Sequence, residues 1–194
     1  MKQPKYQTIV ADPPWKYSAN PAPLRSGGRG ASAEHHYPTM SNAELAEMPV
    51  GEIADDQAHL YMWVTNPRLV GDYRGKRDVT PFDIVEAWGF RPITMLTWVK
   101  PGRGGTGWYF RGQTEHVIFG TRGKLGIPAA VREPNVFTAK RSRHSAKPQD
   151  FFDLVERVSP GPRLEMFARN ARPGWDVWGN EAPNPVDVEL GPAA

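Results

Sequence analysis

Apolar residues in this chain come in short runs set apart by breaks rich in Gly, Pro and Asp, and the runs switch between two periods. Tyr6-Gln7-Thr8-Ile9-Val10-Ala11 reads as a short buried strand. It must stop at Asp12, because Pro13 and Pro14 cannot donate to a ladder and Pro13 restricts the residue before it. Ser41-Asn42-Ala43-Glu44 is a capping box that starts a short helix. Ala58-His59-Leu60-Tyr61-Met62-Trp63-Val64 then returns as a strand. Thr80, Pro81 and Gly89 punctuate a helix over Phe82 to Trp88, with Pro at its first position and Gly after its end.

The pattern repeats through the second half. Pro92 to Val99 and Glu115 to Thr121 predict strands on either side of the glycine-rich segment from Gly102 to Gly112. Pro148 to Val158 predicts an amphipathic helix with Phe151, Val155 and Val158 on one stripe and Phe152 beside it. Arg163 to Ala168 and Trp175 to Trp178 close the series as strands, and the Pro-rich tail from Ala182 is expected to be loose. Strands alternating with helices predict a mostly parallel α/β sheet in a single domain over residues 1–181. The stretch from about Ser18 to His36 lacks the apolar content to pack and is expected to be mobile, a long loop that is either functional or disordered.

Composition narrows the chemistry. The chain has no cysteine, so disulfides, thiolate metal sites and thiol nucleophiles are excluded. His35, His36, His59, His116 and His144 lack helical ligand spacing, and no bound metal is expected. No apolar run is long enough for a bilayer span and the first residues lack a signal-peptide core, which predicts a soluble cytoplasmic protein without membrane association. Net charge is only +3, yet residues 16–36, 100–124 and 140–147 hold 12 of the 24 Lys and Arg against two acids. These loop-rich segments mark where a nucleic-acid phosphate track is expected, with Arg25, Arg29, Arg141 and Arg143 as candidate contacts.

Asp12 stands at the carboxyl end of a strand, the edge where open α/β sheets bind ligands. The sequence Asp12-Pro13-Pro14-Trp15 offers a carboxylate and a stiff backbone carbonyl, with an aromatic face beside them. Such a pair of acceptors suits an exocyclic amine: it localises a lone pair otherwise delocalised into the base and favours a tetrahedral nitrogen during attack. Trp15 would give an extruded base a surface to stack on. The four residues read equally well as a rigid turn ending a strand. Glu115 and His116 read as structural or substrate-positioning, and Trp63, Trp98 and Trp178 as core.

From about Tyr6 to Glu181 the chain resembles the adenine-N6 methyltransferase family typified by the seventy-kilodalton catalytic subunit of the eukaryotic messenger-RNA adenosine methyltransferase, which also has bacterial and phage members. The matching segments occur in family order. They are Ala11 to Trp15, His36 to Ser41, Tyr61 to Thr65, Trp88-Gly89-Phe90, Trp98-Val99-Lys100, Glu115-His116-Val117, Arg143 to Pro148, Glu156 to Gly161, Phe167 to Asn170 and Trp178 to Glu181. The resemblance implies a Rossmann-like class I methyltransferase sheet with helices on both faces, in a circularly permuted order that puts the catalytic motif before the cofactor-binding strands. It implies S-adenosylmethionine as methyl donor and adenine N6 in nucleic acid as acceptor, DNA in preference to RNA. A partner subunit or a dimer fits the family, and the sequence itself leaves the oligomeric state open.

By the same resemblance Lys147 and Arg169 face the carboxylate end of the cofactor, Asn170, Asn180 and Glu181 face its adenosine, and Tyr37 lies near the transferred methyl. Two departures qualify this. Ala168-Arg169-Asn170-Ala171-Arg172 lacks the glycine-rich turn of most methyltransferases, as the family itself does, and Glu181 stands where eukaryotic members have glutamine. Three alternatives remain at this stage: an RNA adenosine methyltransferase, an N4-cytosine enzyme, which usually carries Ser in place of Asp12, and a non-catalytic nucleic-acid-binding subunit of the same fold, which lacks the Asp-Pro-Pro-Trp signature.

Overall fold

A computed structural model describes residues 4–16, 38–70, 78–102, 104, 110–141 and 146–190 of the chain. Its frame is a seven-stranded sheet made of β1 (Tyr6–Ala11), β2 (Ala54–Val64), β3 (Arg91–Val99), β4 (Thr114–Arg122), β5 (Val136–Thr138), β6 (Arg163–Met166) and β7 (Asp176–Trp178). The order across the sheet is β5-β3-β4-β2-β1-β6-β7. β1 lies between β2 and β6 and runs parallel to both, with Val10 opposite Tyr61 on one side and Glu165 on the other. The strand that leads into Asp12 therefore has an early strand on one side and, on the other, the last two strands of the chain.

Side chains alternate cleanly between two cores, as the period of a strand requires. Ile9, Leu60, Met62, Ile118, Leu164 and Met166 face one side, where they pack with helices α1 (Asn42–Glu47) and α4 (Pro81–Ala87). Val10, Tyr61, Trp63, Trp98, Val117 and Phe119 face the other, covered by α5 (Gln149–Val158) through Phe151, Phe152 and Val155. Helices thus cover both faces. α1 and α4 each begin with a complete capping box, Ser41 with Glu44 and Thr80 with Asp83. Past the end of α4, Gly89 adopts φ +83°, the left-handed cap that only a residue without Cβ reaches at no steric cost.

The sheet is mostly parallel, as expected, except that β4 runs antiparallel to both β2 and β3, with Val117 opposite Trp63 and Glu115 opposite Trp98. Other expectations need correction. β2 starts at Ala54 instead of Ala58, because the exposed run Asp55-Asp56-Gln57 hides the beginning of the strand from any apolar pattern. Two short helices, α2 (Val50–Ile53) and α3 (Asn66–Val70), and the three-residue β5 were not anticipated. β6 stops at Met166, two residues early, where Phe167 takes φ +60°, a conformation that bulky residues hold only when their surroundings force it.

The tail is not loose as far as Leu190. The Val186 N–H donates to the Val177 carbonyl at 2.9 Å, and Val188 and Leu190 are buried in the core on the α1 and α4 side. Val186, Val188 and Leu190 alternate with Asp187 and Glu189, so one apolar edge can pack while the acids stay in water. The loop from Ser18 to His36 lies outside the described residues.

Candidate active site

Four strands deliver side chains to one edge of the sheet. Asp12 follows the carboxyl end of β1, Thr65 follows β2, and Lys100 follows β3. Because β4 runs the opposite way, its second residue, Glu115, arrives at that same edge. Lys147 sits just before α5, whose N-terminal Pro148 makes no side-chain cap. One pocket is lined by Asp12, Pro13, Pro14, Trp15, Trp63 and Lys147, with Glu115, Arg169, Asn180 and Glu181 also on its wall.

The charged groups form an alternating chain. The Lys147 ammonium lies 3.0 Å from the Asp12 carboxylate and 3.2 Å from Oε2 of Glu115, over the ring of Trp63 at 4.7 Å. Oε1 of Glu115 is held by the Lys100 ammonium, which rests over Trp98 at 4.3 Å. Lys147 is only 12% exposed and Asp12 35%. Burial works against the charge on Lys147, but Asp12 and Glu115 more than offset it and raise its pKa. Burial likewise pushes the Glu115 carboxyl up, and Lys147 with Lys100 overcomes that and holds it below the usual range. On the neighbouring strand, burial raises the Glu165 carboxyl; Arg172 opposes the shift and Asp12 adds to it. Two carboxylates and two ammoniums therefore meet at this edge, and neither sign is left alone.

The tetrapeptide is clamped from behind. The Pro14 carbonyl accepts from the Met40 N–H at 2.8 Å, and the Lys16 N–H donates to the Met40 carbonyl at 3.0 Å. The Pro13 carbonyl accepts the Trp15 N–H at 2.8 Å, which leaves its second lone pair for another donor. Trp15 differs from its expected role: its indole N–H donates to the Trp63 carbonyl at 3.1 Å and only 5% of the residue is exposed. It braces β1 against β2 and forms wall, with little ring face free for a stacked base.

The expected cofactor residues are partly gathered. Lys147, Arg169, Asn180 and Glu181 line the pocket with Asp12, and Arg169 approaches Glu181 at 3.8 Å. Asn170 is exposed and does not line it. Lys147, expected at a cofactor carboxylate, is engaged instead with the catalytic candidate Asp12 and with Glu115. A Cβ on Gly179 would come within 2.8 Å of the Ala168 carbonyl oxygen, so glycine lets the turns after β6 and β7 close on each other and brings Asn180 beside Arg169. The site offers cations and acids for a zwitterionic amino acid and an amide for a nucleoside, a donor set that fits S-adenosylmethionine.

Of the candidate substrate contacts, Arg141 is exposed and donates to the Gly112 carbonyl at 2.9 Å. Tyr37, Arg25, Arg29 and Arg143 lie outside the described residues. His116 parts company with Glu115: it faces the opposite side of β4, between Thr97 at 3.0 Å and Asn66 at 2.8 Å. Lys100 was missed as a site residue, although an apolar strand followed by a lysine, with an acid at the start of the next strand, carried the signal. Among the described residues no group of three or more His, Asp or Glu could hold a metal, and no helix is long and apolar enough to cross a membrane.

The family model described as MT-A70 matches residues 6–181. The Type II methyltransferase M.MunI of a Mycoplasma species is 32% identical over 203 residues, covering 95% of this chain and 81% of that protein. The N(6)-adenosine-methyltransferase MT-A70-like protein of Drosophila melanogaster is 28% identical over 187 residues, covering 91% of this chain and 27% of that protein. The human N(6)-adenosine-methyltransferase catalytic subunit METTL3 is 26% identical over 187 residues, which cover 28% of its length. The chain thus spans little more than a quarter of these eukaryotic relatives.

Proposed function

Because the chain belongs to the MT-A70 family of adenine-N6 methyltransferases, and so is a methyltransferase, we propose that it transfers a methyl group from S-adenosylmethionine to adenine N6 in nucleic acid, DNA in preference to RNA. The single observation that carries the reading is the meeting of the Asp12 carboxylate, ion-paired with Lys147, and the Pro13 carbonyl in one pocket. Asp12 accepts one N6–H and Pro13 the other, which localises the nitrogen lone pair. S-adenosylmethionine supplies an electrophilic sulfonium methyl. Lys147 holds the Asp12 carboxylate in an ion pair, Glu115 keeps Lys147 in place, and Arg169, Asn180 and Glu181 hold the donor beside them. The preference for DNA draws on the relative matched over most of its length, a Type II methyltransferase, against adenosine-named relatives matched over about a quarter of theirs.

Incubating the protein with labelled S-adenosylmethionine and sequence-matched DNA and RNA, then digesting to nucleosides for mass spectrometry, tests base, atom and sugar together. N6-methyldeoxyadenosine is the expected product. Label in N6-methyladenosine alone would assign RNA, and label in N4-methylcytosine would discard the adenine assignment.

A further inference from the structure

We propose that Lys100 is a positioning residue of the transfer site, occupying one oxygen of Glu115 so that Lys147 stays shared between Glu115 and Asp12. The inference rests on the function proposed above and concerns a residue that does not itself line the pocket and is linked to Asp12 through Glu115 and Lys147. The geometry is specific. Lys100 binds Oε1 of Glu115 and Lys147 binds Oε2, so the two ammoniums divide one carboxylate between them. Lys147 in turn divides itself between Glu115 and Asp12 at nearly equal distances, 3.2 and 3.0 Å.

A surface lysine would be a poor candidate for such a task, but Lys100 is 8% exposed and its ammonium is fixed from two sides, by Glu115 and by the face of Trp98. Burial lowers its proton affinity and Glu115 restores part of it, so the charge is kept there by its partner. Buried charges are costly unless balanced, and here the balance is two against two. Without Lys100 the cluster would hold Asp12, Glu115 and a single Lys147. Glu115 would then draw Lys147 away from Asp12, or one carboxyl would take up a proton. Either outcome weakens the acceptor that the amine needs. The other charged groups facing the cluster do not replace Lys100: Arg141 repels it, and Glu165, paired with Arg172, adds negative charge near Asp12.

The test uses the full chain with Lys100→Met and Lys100→Arg. In Lys100→Met, kcat should fall roughly tenfold with the KM for S-adenosylmethionine within about twofold of the parent. The acid limb of the pH–rate profile should move up by about one pH unit or more, the scale of losing a cation beside a carboxylate. Lys100→Arg should restore most of both. Carbon-13 titration of the Glu115 carboxyl should show the same upward shift in Lys100→Met, a reading that needs no turnover and so stands apart from the function proposed above. A Glu115 carboxyl titrating as in the parent would overturn the proposal, as would a Lys100→Met enzyme slowed at every pH alike, which is how a merely structural lysine behaves.

Discussion

Buried polar groups sit towards both ends of β2, on the same face of the sheet, but those at one end are neutral and those at the other are charged. Near the start of the strand the Tyr61 hydroxyl, the Ser159 hydroxyl and His59 form a relay that ends on the Leu125 carbonyl. The direction is fixed by that carbonyl, which can only accept. Nε2–H of His59 donates to it at 3.2 Å, so Nδ1 must accept from Ser159 at 2.8 Å, and Ser159 accepts from Tyr61 at 2.7 Å. Every member is satisfied without a charge. At the far end Asp12, Lys147, Glu115 and Lys100 satisfy one another only as ions. A fold that needed polar groups only for shape could use the first solution everywhere. The second costs desolvation, and it stands where the proposed methyl transfer would use a carboxylate acceptor.

The largest break in that comparison comes from Asp12→Ala. It removes the acceptor and leaves Lys147 with Glu115, so methyl transfer should fall a hundredfold or more while S-adenosylmethionine binding stays nearly intact. Single-turnover rates beside calorimetry would check both halves. Near-normal turnover would mean that the charged cluster serves stability, like its neutral counterpart.

At the neutral end the readout is stability against pH. His59 is fully buried, and burial lowers its pKa, with the Leu125 contact opposing. The unfolded chain therefore binds a proton that the folded chain refuses. Stability is full above the unfolded value near 6.5 and falls as pH drops below it. At pH 5 the loss should reach up to about 2 kcal/mol, or roughly 4–8 °C in Tm. His59→Gln keeps a donor for Leu125 and an acceptor for Ser159, and should flatten the curve between pH 7 and pH 5. A variant as acid-sensitive as the parent between pH 7 and pH 5 would place the sensitivity at a group other than His59, and not at Glu115, whose lowered pKa withdraws stability only below the ordinary carboxylate range.

The neutral relay was invisible in the sequence, because Ser159 lies about a hundred residues from His59 and Tyr61 and no period links them. The strands, the two capping boxes and α5 were legible, since each is written in local apolar spacing or in a cap. The edge position of Asp12 was legible for the same reason: two prolines end the strand there. Strand direction was not. Nothing in Glu115 to Thr121 says that β4 runs against its neighbours, and that reversal carries Glu115 to the edge that bears Asp12, while His116 takes the other face by the ordinary alternation of a strand. The role of Lys147 at Asp12 was missed because the resemblance spoke only of the cofactor.

A smaller effect separates donor binding from amine activation within the charged end. Asn180 lines the pocket and makes no contact with the ion chain, so Asn180→Ala should raise the dissociation constant for S-adenosylmethionine about tenfold, the loss of one good hydrogen bond. Its turnover at saturating donor should stay within a few-fold of the parent. Unchanged affinity by calorimetry would remove Asn180 from the donor site.

The smallest expected change concerns the outer rim. Of the described Lys and Arg in the three basic segments, Lys100 and Lys147 are turned inward to carboxylates and Arg122 is spent on the Gly51 carbonyl, so the phosphate track is thinner than the count of charges suggests. Arg141 uses Nη2 on Gly112, which leaves most of its five donors facing solvent beside the catalytic edge. If those donors meet one phosphate, Arg141→Ala should lower the slope of log affinity against log salt for duplex DNA by about 0.9, a roughly threefold change between 50 and 200 mM salt. Arg141→Lys should keep the slope, because a point charge releases the same counterion, even though it gives up the planar fork. Adding Arg25, Arg29 and Arg143 to the alanine variant should extend the loss towards about four units. An unchanged slope in Arg141→Ala would make its bond to Gly112 the whole of its role, a brace between the segments before β4 and after β5.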